Sequence, residues 1–486
     1  MASFLDMPPV LLSGPHFDGH ARAALSMTSW PMHALVMRAC TAVTVRPAPA
    51  NNLQLQSMVD RLHQCCAEGL QLKQLSIPGS SSSDVTDQRT LAALSGLNLG
   101  SPEAPVLTDL GPLAALTSLQ HLSMTMALGR VTTLSFLSAL TSLQKLDCRG
   151  MAQVTSLQPL TALSRLQSLN CSSMACVDDL APVAALSGLL ELDCHAMTRV
   201  RDLWPLAALT RLVHLNCSHM VLVSDMGPLA ALTRLQRLEC VGLKRVTGLE
   251  FLSALAPSLK HLDCRAMTEV TSLAPLAALT ENLEHLNCSF MDWVTDLRPL
   301  GSMSSLQHLD CCALRGVSSL APLGALTRLQ HLQLRCMRCT SLDPLATLGS
   351  LKSLNCGGMD RVSDLQALAR LTGLSWLVCS GMKRVTNLTP LSALIGLQHL
   401  NLCGLLSVTD LLPLIVLTRL QHLDLSGMDR VTSLEPLVHL KRLQYLNCSN
   451  MPGVSDLVSD LGTLAALSSL EHLYHDRPNG NVTIEE

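Results

Sequence analysis

Leucines recur along this chain as L-x-x-L pairs at a nearly constant spacing, among them Leu119/Leu122, Leu143/Leu146, Leu166/Leu169, Leu189/Leu192, Leu212/Leu215, Leu235/Leu238, Leu443/Leu446 and Leu470/Leu473. The tightest copy of the 23-residue unit is LQHLDLSGMDRVTSLEPLVHLKR, from Leu420 to Arg442. Within it, Leu423 and Leu425 alternate with His422, Asp424 and Ser426, the period of a short half-buried strand. Met428, Val431, Leu434, Leu437 and Leu440 follow as inward anchors of a turn and a return segment. Pro436 suits the first position of a short helical or 3-10 turn. A unit this short cannot bury its own apolar face and must stack on its neighbours. The pattern predicts an α/β solenoid, with a curved parallel sheet on a concave face and short helical or 3-10 turns and loops on a convex face.

The repeat divides the chain. Residues 1–50 do not fit it, and 51–71 have helix-like spacing (Leu53, Met58, Leu62, Cys65) suited to capping an exposed first edge. A solenoid of about eighteen coils is expected over 72–475, with irregular early coils at Leu72/Leu75/Ile77 and Leu94/Leu97/Leu99. Ser80–Ser83, Gly100–Pro105 and Val458–Gly462 read as inserted loops, and 476–486 as a polar disordered tail.

Composition refines this picture. Of 486 residues, 48% are hydrophobic but only 2% aromatic, so aliphatic side chains must supply the core. A net charge of −3 gives no general attraction to a polyanion. No apolar run reaches the ~18 residues of a membrane span, so neither a nucleic-acid nor a membrane partner is expected. The start lacks a basic region and a continuous apolar stretch, so no signal peptide is read. Eleven of the 19 cysteines (Cys148, Cys171, Cys194, Cys217, Cys240, Cys264, Cys288, Cys311, Cys356, Cys379, Cys448) share one column with Leu334, Leu402 and Leu425. They behave as small buried hydrophobes, and reduced thiols imply a reducing compartment, the cytoplasm or nucleus. Sequons at Asn170, Asn216, Asn287 and Asn447 fall on the strand itself, where glycans would cover the displayed surface.

The unit L-x-x-L-x-[LC]-x-x-M-x-x-V-x-x-L-x-P-L-x-x-L resembles the leucine-rich-repeat superfamily over about 80% of the chain. Asp109–Thr117 and Asp202–Thr210 resemble internalin-type repeats, while Leu423–Thr432 resembles the cysteine-containing repeats of eukaryotic ubiquitin-ligase receptors. The sequence departs from both in carrying methionine (Met151, Met174, Met197, Met428 and others) where asparagine or cysteine is usual. Backbone carbonyls and hydroxyls such as Ser172, Ser218 and Ser449 are then expected to satisfy the turn. Phe4–Val36 resembles a degenerate F-box, with Pro8-Pro9, Leu11-Leu12, Arg22, Leu25-Ser26 and Trp30 in place, although Val10 stands where an acid is expected and Gly14-Pro15 and Gly19 interrupt the middle helix. That resemblance implies docking on the adaptor of a cullin–RING ubiquitin ligase through residues 1–50.

Three columns are expected to face outward. One is mostly histidine, including His261, His285, His308 and His331. Beside it runs an acid/amide column with Asp263 and Asp310, and then a small or basic one with Arg149, His195, Ser218, Arg265, Ser289, Arg335 and Ser426. Imidazoles in consecutive coils suggest a metal or pH-sensing strip. A duplicated harmless histidine bonded to its Asp or Asn neighbour explains them as well, and no closed ligand set is legible, so no metal or cofactor is expected. Every coil offers a similar His/Asp/Ser trio and none is singled out, so no enzyme is expected. An arginine stripe (Arg130, Arg199, Arg245, Arg361, Arg384, Arg430) is expected to be neutralised by Asp202, Asp225, Asp364 and Asp410.

The expected function is a non-enzymatic scaffold that binds a partner protein on the concave face. Its anchors are Trp376, Tyr445, Tyr474, Arg149, Arg265 and Arg335, because interface hot spots favour Trp, Tyr and Arg. The alternative is a substrate receptor of a ubiquitin ligase. A third reading, an extracellular adhesion protein, would require a secretory route.

Overall fold

The structure is a computed structural model that describes residues 131–454 continuously, with 42–44, 74–77, 110, 113–114, 116–124, 464 and 467–475. The F-box-like segment, the 51–71 cap, the Leu94/Leu97/Leu99 coil, the inserted loops and the tail lie outside the described residues. The chain forms two compact units, Met1–Leu243 and Lys244–Glu486.

In the first unit, three-residue strands at Lys145–Asp147, Ser168–Asn170, Glu191–Asp193, His214–Asn216 and Arg237–Glu239 pair in parallel, each with the next. Before them, Ala42–Thr44 pairs with Gln74–Ile77, which pairs directly with His121–Met124. Within residues 1–50, the three-residue strand at 42–44 thus adds to the sheet ahead of the leucine repeat. Its sequence AVT carries β-branched residues but no L-x-x-L signature, so the leucine pattern could not reveal it.

The second unit is more regular. Its strands are His261–Asp263, His285–Asn287, His308–Asp310, His331–Gln333, Ser353–Asn355, Trp376–Val378, His399–Asn401, His422–Asp424, Tyr445–Asn447 and His472–Tyr474. All pair in parallel with the central leucines opposite one another, as in Leu354↔Leu377 and Leu377↔Leu400. The ladder continues past each strand: the Cys356 N–H donates to the Val378 carbonyl (2.9 Å) and the Gly358 N–H to the Ser380 carbonyl (2.7 Å). Neighbouring coils therefore satisfy each other's backbone groups.

The return segment is a 3-10 turn in nearly every described coil, usually with proline in its first positions, as in Thr389–Ala393. Leucines spaced by three carry it: Leu391 N–H bonds the Leu388 carbonyl, Leu394 bonds Leu391 and Leu397 bonds Leu394. A helix with three residues per turn eclipses such side chains on one face, which turns all of these leucines into the core. Leu252–Leu255 is a single α-helical turn instead.

Leucine, cysteine, methionine and valine columns fill the interior, with Leu423, Leu425, Met428 and Cys379 inaccessible to solvent. The methionine column is thus core, and the turn above it is satisfied by other groups. The residue just before the methionine or leucine of this column has a positive φ; it is glycine at Gly150, Gly242, Gly358, Gly381, Gly404 and Gly427, and Ser173, Ala196, His219, Ala266, Phe290, Ala313, Cys336 or Asn450 in the other coils.

Candidate protein-interaction surface

Alternation turns the first and third residues of nearly every strand from Lys145 to Tyr474 away from the core, Asn355 being buried. In the second unit this builds a column of rings in register. His261 and His285 have ring centroids 5.4 Å apart, His285 and His308 4.1 Å, and His308 and His331 4.3 Å with planes only 8° apart. A second run joins His399 to His422 (4.4 Å) and His422 to Tyr445 (5.6 Å), and His472 holds the next place in the column, while Tyr474, opposite Asn447 in the neighbouring column, leans to within 5.3 Å of the Tyr445 ring. Trp376 occupies the same column between the two runs. Ser353, between His331 and Trp376, is the position without a ring.

Stacking has an electrostatic consequence. Burial first, and then the neighbouring His285, His331 and His261, push the His308 imidazole down to about 4. His331 is lowered by burial, by Lys352 and by His285, and His399 by burial and by His422. Packed parallel imidazoles resist sharing positive charge. Among the described residues, no group of three or more His, Cys, Asp and Glu side chains is placed to hold a metal ion.

The acid/amide column does different work from that expected. Each side-chain oxygen accepts the backbone N–H two residues on: Asn287 from Ser289 (3.1 Å), Asp310 from Cys312 (3.0 Å), Asn401 from Cys403 (3.0 Å) and Asp424 from Ser426 (3.0 Å). These are local turns closed by a side chain. Asp263 likewise accepts from Arg265. The column therefore performs the turn-closing role that the methionines cannot, and Asp263 and Asp310 are committed to the fold before any partner arrives.

The third column also needs correction. Ser172, Ser218 and Ser289 are buried, not displayed. The hydroxyls of Ser172 and Ser289 donate to Asn170 and Asn287 at 2.7 Å, and that of Ser218 accepts the Val241 N–H at 3.1 Å. Arg149 and Arg265 are exposed but turn back on their own strands, toward Asp147 (2.6 Å) and Asp263 (3.6 Å). Arg149 lies in the first unit, whereas Arg265, Arg335, Trp376, Tyr445 and Tyr474 lie in the second. Among the described residues, Asp202, Asp225, Asp364 and Asp410 form no ion pair with the arginine stripe. They accept the N–H of Trp204, Gly227, Gln366 and Leu412, capping the 3-10 turns.

Two residues stand out that the strand columns did not reveal. Phe290 and Trp293 project into solvent from one turn, 55% and 67% exposed. Phe290 holds φ at 60°, at a position that small residues fill in the adjoining coils, Ala266 and Ala313. The signal in the sequence was local: two aromatics within four residues of a chain that is 2% aromatic.

No protein-family model matches the sequence, and no curated protein is similar to it at a significant level. Solved structures are similar in fold. A leucine-rich-repeat protein of Leptospira interrogans aligns with a TM-score of 0.61 at 18% identity, over 89% of this chain and 100% of that one. The internalin InlF of Listeria monocytogenes aligns at 22% identity with a TM-score of 0.43, over 83% of this chain and 97% of that one. A domain of InlJ from the same organism, described as including a cysteine ladder, gives 22% identity and a TM-score of 0.49 over 79% and 74%. The likeness to the Leptospira protein concerns architecture, and together with the parallel in-register strands and 3-10 returns it shows that this chain folds as a leucine-rich-repeat solenoid.

Proposed function

We propose that the chain is a non-enzymatic scaffold that captures a partner protein on the strand face of its second unit. The observation that carries this reading is the ring column. His, Trp and Tyr side chains are held at strand spacing by a rigid backbone, half-exposed, in a protein with few other aromatics. Such rings offer large contact area at low entropic cost, because few torsions are left to freeze. Repetition argues against catalysis, since the His–Asp arrangement recurs without one strained or desolvated copy. The buried, reduced sulfur column supports a cytoplasmic or nuclear setting.

The test is a photo-crosslinking phenylalanine analogue placed at Trp376, at Tyr445 or, as a control, at the exposed Trp204 of a 3-10 turn, expressed in cells of the source organism. A common protein is expected to attach at the first two positions and not at the third. Equal labelling at all three, or none at the strand positions, sinks the reading.

A second reading rests on the F-box resemblance of Phe4–Val36: the same face would select substrates for a ubiquitin ligase, with residues 1–50 binding the adaptor. Recovery of adaptor and cullin with the full chain, and their loss from a chain starting at Asn51, would favour it. Equal recovery from both, or from neither, would remove it.

A further inference from the structure

The column of rings has its gap at Ser353, and the surface opens beside that gap. An open cleft of about 610 Å³ lies at the strand entrances there, lined among others by Arg328, Gln330, Gly349, Ser350, Lys352 and Gly373. Gln330 immediately precedes His331, and Lys352 immediately precedes Ser353, so the cleft adjoins the strand face. Its floor is open because two coils carry glycine: a Cβ added at Gly349 would meet nothing within 4 Å. Strands spaced ~4.8 Å apart put the backbones bearing His331 and Trp376 about 10 Å apart across Ser353. That width admits one inserted side chain.

The charge of the cleft is one-sided. No carboxylate lines it. Ion pairs within 4 Å are few among the described residues, and the arginines in them are Arg149, Arg237, Arg265, Arg298 and Arg315, so an unpaired cation is common on this surface and it is the absence of any lining acid that sets the cleft apart. Arg328 and Lys352 form no such ion pair among the described residues. The Lys352 ammonium is steadied by donating to the Gln330 side-chain oxygen at 3.0 Å, which leaves two of its three protons for another acceptor. Lys352 also helps to lower His331, so its charge reaches the ring column.

We propose that this cleft is an oxyanion subsite, in which Arg328 and Lys352 grip an acidic side chain of the partner whose stem lies in the Ser353 gap against Trp376. The inference rests on the strand-face reading above and names the chemistry the partner must bring. Guanidinium and ammonium groups donate charge-assisted hydrogen bonds to carboxylate and phosphoryl oxygens alike. Ser350 adds a hydroxyl donor at the rim. The source of the oxyanion is therefore an aspartate or glutamate, or a phosphorylated residue.

The test uses the full chain labelled with 5-fluorotryptophan, whose Trp376 fluorine signal is assigned from Trp376→Phe. Acetylated tetraglutamate and inorganic phosphate are titrated in separate arms. A saturable shift of the Trp376 signal is expected, with the Trp204 signal unmoved, and added salt should weaken it. Arg328→Ala/Lys352→Ala should weaken the response about tenfold or more, with the circular dichroism unchanged because both side chains are exposed. A stronger response to tetraglutamate assigns a carboxylate source, and a stronger response to phosphate a phosphoryl one; both support the subsite. No saturable shift in either arm, or an unchanged response in the double variant, overturns it. That failure would leave crosslinking at Tyr445 intact, whereas failure of the strand-face reading would abolish crosslinking there too.

Discussion

The Cys356 sulfur lies 3.6 Å from the Cys379 sulfur one coil away, and both thiols are buried. The separation is far beyond the ~2.05 Å of a disulfide. The hydrogen bond to Cys356, and then burial, push the Cys379 thiol well above its ordinary value. Burial likewise drives Cys171 up to about 12. A thiol so held carries almost no thiolate, and the thiolate is the reactive form. Iodoacetamide should therefore label the exposed Cys336 and, more slowly, Cys176 and Cys403 in the folded protein. Cys356 and Cys379 should react only after urea unfolding. Peptide mass spectrometry reads the result, and rapid native labelling of Cys379 would contradict this picture.

The side-chain turn closures should be worth measurable stability. Asn287→Ala strips the acceptor from both the N–H and the hydroxyl of Ser289, at a site closed to solvent. Leaving buried donors unmatched costs about 1–3 kcal/mol. The urea midpoint of Asn287→Ala should fall accordingly, while Asn287→Asp, which keeps the accepting oxygen, should lose less. Equal losses would mean that the side-chain oxygen does not close the turn.

His308 sets a pH window. Its folded pKa, about 4, lies below the ordinary 6.5, so the unfolded chain binds its proton first as pH falls. The stability contributed by the neutral, stacked ring is complete above pH 6.5 and is lost progressively down to about 4. Urea midpoints measured at pH 7 and pH 5 should differ more for the natural chain than for His308→Gln. An identical pH dependence in the variant would show that another group governs the window.

Phe290 should hold its left-handed backbone at a cost to stability. An L-residue with a side chain pays about 1–2 kcal/mol in the left-handed region, a cost that glycine avoids. Phe290→Gly should raise the urea midpoint, corresponding to a gain of about 1 kcal/mol. A fall instead would show that the exposed ring makes compensating contacts with its own fold.

Much of the architecture was legible because stacking forces repetition into the sequence. Leucine, cysteine and methionine columns reappear at one spacing, and proline marks the return turn. Strand alternation predicted which way His422 and Asp424 point, but not that Asp424 would spend an oxygen on the N–H of Ser426. Direction follows from periodicity, whereas hydrogen bonding depends on the turn that follows the strand. Ser289 misled for the same reason, since its place in the outward column is overridden by the turn that folds it inward. The cleft was hidden more deeply. It is assembled from Arg328, Lys352 and Gly373 in three successive coils, and part of it is the absence of side chains. Phe290 and Trp293 escaped notice because they sit in a turn, outside the columns that the leucines define.

Spacing between coils is not perfectly uniform, yet the paired strands among the described residues stay in register. His261 and His285 are 24 residues apart and His331 and Ser353 are 22, but each pair sits directly opposite in the sheet. Surplus or missing residues are absorbed in the return arc. Insertions and deletions arising there during gene duplication can therefore accumulate without shuffling the displayed side chains, so a recognition code written along the strands is inherited intact while the lengths of its carriers drift.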